Sequence, residues 1–298
     1  MTFTFTEQHY ISTSRGDLFA QSWTPSIENG SPIILLHDSL GCVSLWRNFP
    51  EQLAQSTSRR VIAYDRLGFG RSGEHPGRLL ANFVQSESDV DFQAICDDFG
   101  ISRFVVLGHS VGAGMAISCA ASSPDTCEAI ISISAQGYVD ERIRAGIRLA
   151  DQQFGNAQQM QRLEKHHGSK APWVLRSFVD TWLSERFSSW NLDEMLPALR
   201  CPLLCIHGDR DEYGSVQHPE YIVKRSGGPA TLNILENCGH VPHREQPSKV
   251  LELVRAFTVK ETYLETSVIL AAEGHLRRSP NKGLIRRSWR SIRTASVS

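Results

Sequence analysis

No Cys-x-x-Cys pair occurs in this sequence, although it holds seven cysteines, at 42, 96, 119, 127, 201, 205 and 238. That spacing argues against a zinc ribbon and a redox dithiol, and an odd count in a long chain points to a reducing compartment. No apolar run approaches the length of a membrane span. Met1 to Ser12 alternates Thr and Phe and then turns polar, without the basic start and apolar core of a secretion signal. Net charge is also lacking: 31 Lys and Arg almost balance 32 Asp and Glu, so the whole chain gives no reason to expect a polyanionic partner. Internal repeats are missing. These absences lead to the expectation of a cytoplasmic protein with no membrane span and no nucleic-acid partner.

What is present is ordinary in amount and uneven in place. An apolar content of 41% over 298 residues suffices for a sizeable core. Between Arg277 and Arg293 stand seven basic residues and no acid, which leaves the remaining chain at a formal charge of about −8. Residues 261–298, rich in Arg and Ser with few apolar anchors, read as a basic, largely disordered C-terminal tail.

Two alternating segments, Phe3 to Ile11 and Asp17 to Trp23, meet around Arg15-Gly16-Asp17 and predict a hairpin. Beyond them, short aliphatic runs alternate with longer helical stretches, the signature of a parallel sheet flanked by helices. Strands are expected at Pro32 to Leu36, Arg60 to Tyr64, Phe104 to Leu107, Ala129 to Ser134, Leu203 to Ile206 and Thr231 to Leu235. Helices are expected near Leu45 to Ser56, Leu79 to Phe99, Val111 to Ser122 and Pro247 to Phe257. Residues 137–199 break the alternation with helical periodicity and no convincing strand. They read as a helical cap inserted into a core domain of residues 1–136 and 200–260. The cap holds Trp173, Phe178, Trp182, Phe187 and Trp190, aromatics that pack the cap onto the core or line an apolar pocket.

The strongest local signal is Gly108-His109-Ser110-Val111-Gly112, directly after an expected strand and before an expected helix. G-x-S-x-G alone would arise in about one chain of this length in ten by chance, so context carries it. A sharp strand-to-helix turn holds the serine exposed and strained, and the glycines remove collisions that side chains would make there. The following helix points N–H groups and a positive dipole end at the site, which suits a developing oxyanion.

A serine hydroxyl needs a base, and histidine is the usual one near neutral pH. Among eleven histidines, His240 follows a strand and Gly239, on a loop where such a fold places its chemistry; His243 is the nearby competitor. The imidazole needs an acid to fix its tautomer. Asp209 and Asp211 both sit just past the strand Leu203 to Ile206. Asp211 is preferred, since Asp209 reads as a turn residue bonding its own backbone. The order Ser110, Asp211, His240 is one known arrangement of such a triad.

With these residues in place the sequence resembles the α/β-hydrolase superfamily, in particular its small, cap-bearing serine hydrolases and esterases, over roughly Ser14 to Thr258. Asp65-Arg66-Leu67-Gly68-Phe69-Gly70-Arg71-Ser72 is similar to the D-x-x-G-x-G-x-S loop of the smaller members, Gly208-x-x-Asp211 to their acid turn, and Gly239-His240 to their histidine loop. The resemblance implies an α/β-hydrolase fold, a mostly parallel sheet with one antiparallel strand near its start, a helical cap, and no cofactor or metal. It also implies that the backbone N–H groups of Ser39 and Val111 receive the oxyanion. Members usually carry Gly where this chain has Asp38; a carboxylate pointing inward there would oppose an oxyanion, so Asp38 is expected to point outward or bond locally.

The implied activity is hydrolysis of a carboxylic ester or related acyl compound, apolar or aromatic, through an acyl-enzyme. Carbon–carbon hydrolysis, perhydrolysis and acyl transfer use the same triad, and a ligand sensor with little turnover could keep the same fold. Leu40, Trp46, Trp173, Trp182 and Val241 are the candidate pocket residues. Two further signals are set aside. Gly68 to Gly73 matches G-x-G-x-x-G, but Glu74-His75-Pro76-Gly77 follows where a phosphate-binding helix should begin. His166-His167 has no metal-ligand spacing and reads as solvated cap surface.

Overall fold

The structure is a computed structural model that describes residues 3–259; the expected basic tail, 261–298, lies outside the described residues. Eight strands form one sheet: β1 (Thr4–Thr13), β2 (Gly16–Pro25), β3 (Ile33–Leu36), β4 (Val61–Asp65), β5 (Phe104–His109), β6 (Cys127–Ile133), β7 (Leu203–Gly208) and β8 (Ala230–Leu235). Their order is β1-β2-β4-β3-β5-β6-β7-β8. β2 is antiparallel to both its neighbours, β1 and β4, while β4, β3, β5, β6, β7 and β8 pair in parallel. One strand near the start therefore runs against the rest, as the resemblance implied.

The central strands are apolar on both faces because both faces are covered. With a side-chain period of two, Ile33 and Leu35 join Val61, Ala63, Val105 and Leu107 on one face, while Ile34 and Leu36 join Ile62, Tyr64 and Val106 on the other. The first face is covered by α1 (Phe49–Thr57) through Phe49 and Leu53, and by the helix over 247–259 through Val250 and Val254. The second is covered by α2 (Asp91–Asp98) and α3 (Val111–Ser122). Two buried aliphatic layers of this kind, at about 1.5–3 kcal/mol per fully buried side chain, fix the register of the strands and so the place of every strand end.

The expected continuous helix over Leu79 to Phe99 is broken and does not begin at Leu79. Only α2 and a 3-10 turn at Gln85–Ser88 form. The hydroxyls of Ser88 and Ser118 both donate to the Gln85 carbonyl, each at 3.0 Å, and so occupy the acceptor that a continuing helix would offer to residue 89. Buried Glu87 meanwhile accepts from the Tyr64 hydroxyl at 2.6 Å. Tertiary partners thus outbid local propensity.

Between β6 and β7 lie α4 (Glu141–Phe154), α5 (Ala157–His167) and α6 (Ala171–Trp182). Asp140 caps α4 by accepting from the Ile143 amide at 2.8 Å, and Asn156 caps α5 through the Gln158 amide at 2.8 Å. A bridge between Tyr138 and Asn191 joins the two ends of this segment. Later in the chain, α7 (Gln217–Arg225) and α8 (Pro242–Glu245) are too polar and short to show in the apolar periodicity.

Candidate active site

Ser110 stands between the end of β5 and the start of α3 with φ 56° and ψ −124°. A non-glycine residue there costs about 1–3 kcal/mol and persists only where its surroundings over-determine it. They do so here. The Ser110 amide donates to the Ile133 carbonyl of β6 at 2.8 Å. A Cβ on Gly108 would lie 2.1 Å from the Gly112 carbonyl oxygen, and one on Gly112 would lie 2.2 Å from the Leu36 carbonyl oxygen. The two glycines let β5, α3 and β3 touch at backbone distance, and the chain reverses with the serine at the apex.

Asp211 follows β7 and His240 follows β8, two and three strands from β5, and the loop after β8 reaches back so that the His240 carbonyl lies 2.8 Å from His109 Nε2, next to the serine turn. The Asp211 carboxylate is fully divided between two tasks. Oδ1 accepts from the Tyr213 and Gly214 amides at 2.8 and 3.0 Å, and Oδ2 lies 2.8 Å from His240 Nδ1. A carboxylate accepts, so Nδ1 carries the proton and donates, which leaves Nε2 of the neutral ring as an acceptor. Burial alone would push Asp211 up and His240 down; their mutual hydrogen bond and opposite charges outweigh it. Asp211 is held below its ordinary pKa and His240 above.

Asp211, rather than Asp209, holds its own turn. Asp209 instead accepts from the Cys238 amide at 3.1 Å and ties the acid loop to the histidine loop. Gly239 has no positive φ; its Cβ would stand 3.1 Å from the Glu245 carboxylate. Glu245 takes the Gly239 and Val241 amides at 2.6 and 2.9 Å, so the glycine serves a close approach and not a free backbone. The competitor His243 is buried against Trp46, with ring centroids 4.7 Å apart, and burial holds its pKa well below the ordinary value.

Ser110 and His240 line a cavity of about 230 Å³. Of the predicted site residues, Ser39, Leu40, Trp182 and Val241 line it too, and Val111 opens α3 next to Ser110. Among the described residues the amides of Ser39 and Val111 have no acceptor. Trp46 and Trp173 lie elsewhere. Trp46 packs on Phe49 and His243. Trp173 stacks on His75 with centroids 5.0 Å apart, and its indole N–H donates to the Gly77 carbonyl at 2.8 Å. The half-buried indole also packs against Gly68, where a side chain would collide with its ring.

Besides the predicted Trp182, several lining residues escaped the sequence reading. Ile143 and Ile147 of α4 and Phe178 and Trp182 of α6 face the cavity as i, i+4 pairs; that spacing was available as a signal. Gln136, Tyr213 and Arg244 also line it, and nothing in the local sequence marks them. Asp38 lines the cavity as well, yet bonds locally: its Oδ1 accepts from the Leu40 amide at 2.9 Å.

His167 is a correction. Expected on a solvated surface, it is buried, accepts from the Gly70 amide at 2.9 Å through Nδ1 and donates to the Leu40 carbonyl at 3.0 Å through Nε2. Burial lowers its pKa to about 4, in keeping with this neutral role. The loop carrying Gly68 and Gly70 is itself scaffolding. Asp65 accepts from the Val43 and Arg71 amides at 2.6 and 2.7 Å, and Gly70, at φ +45°, leaves room for that carboxylate.

This sheet, turn and pair of loops define a class. The chain belongs to the alpha/beta hydrolase fold family, whose model matches residues 31–247. A (lyso)-N-acylphosphatidylethanolamine lipase of Bos taurus is 26% identical over 130 residues, 43% of this chain and 37% of the lipase. Epoxide hydrolase B of Mycobacterium tuberculosis is 31% identical over 127 residues, 42% of this chain and 35% of that one. The chain thus spans little more than a third of the length of these curated relatives. An esterase from Thermogutta terrifontis superposes with a TM-score of 0.66 at 20% identity, over 86% of this chain and 99% of the esterase, a likeness of fold. Among the described residues no helix is long and apolar enough to cross a membrane, and no cluster of His, Cys, Asp and Glu could hold a metal ion.

Proposed function

We propose that this protein is a serine hydrolase of carboxylic esters or related acyl compounds, with Ser110 as nucleophile, His240 as general base and Asp211 as the acid that orients it. The observation that carries this reading is the 2.8 Å bond from His240 Nδ1 to Asp211, which leaves Nε2 as an acceptor in the cavity that Ser110 shares. Nε2 takes the Ser110 proton as the oxygen attacks the acyl carbon, the Ser39 and Val111 amides receive the oxyanion, and the imidazolium protonates the leaving group. Water then repeats the sequence on the acyl-enzyme.

A serine nucleophile favours acyl over epoxide substrates. Opening an epoxide with a serine oxygen forms an ether, which water does not cleave under these conditions, whereas an acyl ester turns over. The apolar wall from α4 and α6 supports an apolar or aromatic acyl group, with the segment 137–199 acting as the cap. A fluorophosphonate probe tests the reading. Labelling of Ser110 is expected, with loss in Ser110→Ala and His240→Ala and steady turnover of p-nitrophenyl esters. Undiminished labelling of Ser110→Ala overturns the assignment, and labelling without turnover identifies a ligand-binding protein instead.

A further inference from the structure

An acid beside a predicted oxyanion donor is electrostatically out of place, and Asp38 directly precedes Ser39 with its side chain on the cavity wall. The structure shows what it faces. Asp38 Oδ2 lies 3.2 Å from His109 Nδ1, and His109 Nε2 lies 2.8 Å from the backbone carbonyl oxygen of His240. A carbonyl only accepts, so Nε2 carries a proton. An ionised carboxylate also only accepts. The ring thus stands between two acceptors, one at each nitrogen, and donates to both when it carries two protons. Despite burial, which alone would raise it, the Asp38 carboxyl is held well below the usual range, chiefly by the hydrogen bond from the adjoining His109 ring and also by the Leu40 amide. The Asp38 backbone is fixed too: its carbonyl accepts from His37 Nδ1 at 2.8 Å and from the Arg66 guanidinium at 2.9 Å.

We infer that His109 is a positioning residue that donates to Asp38 beside the oxyanion site, so offsetting the carboxylate there, while its second N–H holds the backbone of His240, so that the two side chains act as a unit. This rests on the function proposed above. Its consequence is non-additivity. Removing His109 alone leaves the Asp38 carboxylate, which lines the cavity that Ser110 lines, without its imidazole partner, and a like charge near the developing oxyanion is expected to slow the chemical step by about 10²-fold. Removing both side chains' polar partners removes the electrostatic penalty and leaves only the smaller cost of the lost bond to the His240 carbonyl.

The test is a cycle of His109→Phe, Asp38→Asn and the double variant. Phe keeps a ring against His240 and His243, which lie 5.1 and 4.7 Å from the His109 centroid. Asn keeps an oxygen for the Leu40 amide. With a p-nitrophenyl ester, H109F is expected to lose about 10² in kcat with little change in KM, and D38N/H109F to recover to within about tenfold of the wild type. A double variant as slow as H109F, or slower, overturns the inference and makes His109 merely structural. If circular dichroism shows H109F to be unfolded, His109→Gln takes its place in the same cycle and decides by the same criterion. Fluorophosphonate labelling of the wild type separates the two levels. A labelled wild type without rescue sinks this inference alone, whereas an unlabelled wild type removes the proposed function beneath it.

Discussion

The two walls of the cavity obey different rules. The wall at the ends of the strands is polar and held at almost every atom: Asp211 by two amides and an imidazole, His240 at its ring, amide and carbonyl, Ser110 by the Ile133 carbonyl. The wall from α4 and α6 consists of Ile143, Ile147, Phe178 and Trp182, which are fixed by packing alone. Directional bonds on a rigid sheet suit chemistry, which tolerates errors of only fractions of an ångström. Packed aliphatic and aromatic surface suits selection by size, because a cavity can change by a methylene without disturbing the reacting atoms. The difference predicts that substitutions on the first wall change the rate of the chemical step, and substitutions on the second change which substrate is preferred.

The largest effect belongs to the sheet wall. Ser110→Ala or His240→Ala is expected to lower kcat by about 10⁶, since such groups act as a unit, and Asp211→Asn by about 10⁴. The Asp211 variant carries a second signature in its pH profile. As the proposed base, His240 works only when neutral, and the bond and charge of Asp211 raise its pKa, so the acid limb of kcat/KM should lie above the ordinary imidazole value of about 6.5. With Asn at 211 the charge is gone and burial still lowers the pKa, so that limb moves to lower pH while the plateau falls. An acid limb that stays in place would remove Asp211 from the role of orienting acid, whatever the loss in rate.

On the helical wall the effect is smaller and of another kind. Ile147→Ala enlarges the cavity by a few methylenes and should shift preference toward longer acyl chains, with each methylene worth about 10–200-fold in kcat/KM ratios. The kcat for the best ester of the variant should stay within about threefold of the wild type's best. A graded series of p-nitrophenyl esters reads both numbers. If Ile147→Ala lowers kcat across the series without changing the order, the two walls are not separable and the division drawn above is wrong.

How much of this was legible in the sequence follows the same division. Strand ends were readable because β3, β4, β5 and β7 are short, mainly apolar runs, and a fold that puts its chemistry at strand ends then leaves few of the eleven histidines, among which Gly239 and the resemblance favoured His240. The i, i+4 pairs of the helical wall were written in the pattern too, but a pattern does not say which apolar face meets a cavity and which meets the core. What stayed illegible depends on partners distant in sequence. His167 looks like a surface residue until Gly70 and Leu40, 97 and 127 residues away, are seen to need its ring. The stretch before α2 looks helical until Ser118 claims the Gln85 carbonyl. Asp38 looks hostile to the site until His109, 71 residues later, is placed against it.

Trp173 sharpens the comparison with the smallest effect, because it is an aromatic of the helical segment that belongs to neither wall. Its ring lies on His75 and Phe69, with centroids 5.0 and 5.5 Å away, and its N–H is bonded to the Gly77 carbonyl. Trp173→Phe should therefore leave the acyl-chain preference where it was. It removes one hydrogen bond worth about 1 kcal/mol, and in a protein of this size that lowers Tm by about 2–4 °C. The melting temperature and the ester series from one preparation suffice to check it. A changed chain-length order in this variant would mean that the loop carrying Gly68, which the indole packs against, transmits its position to the cavity. Size selection would then be a property of how the helical segment sits on the core and not only of the side chains that α4 and α6 turn inward.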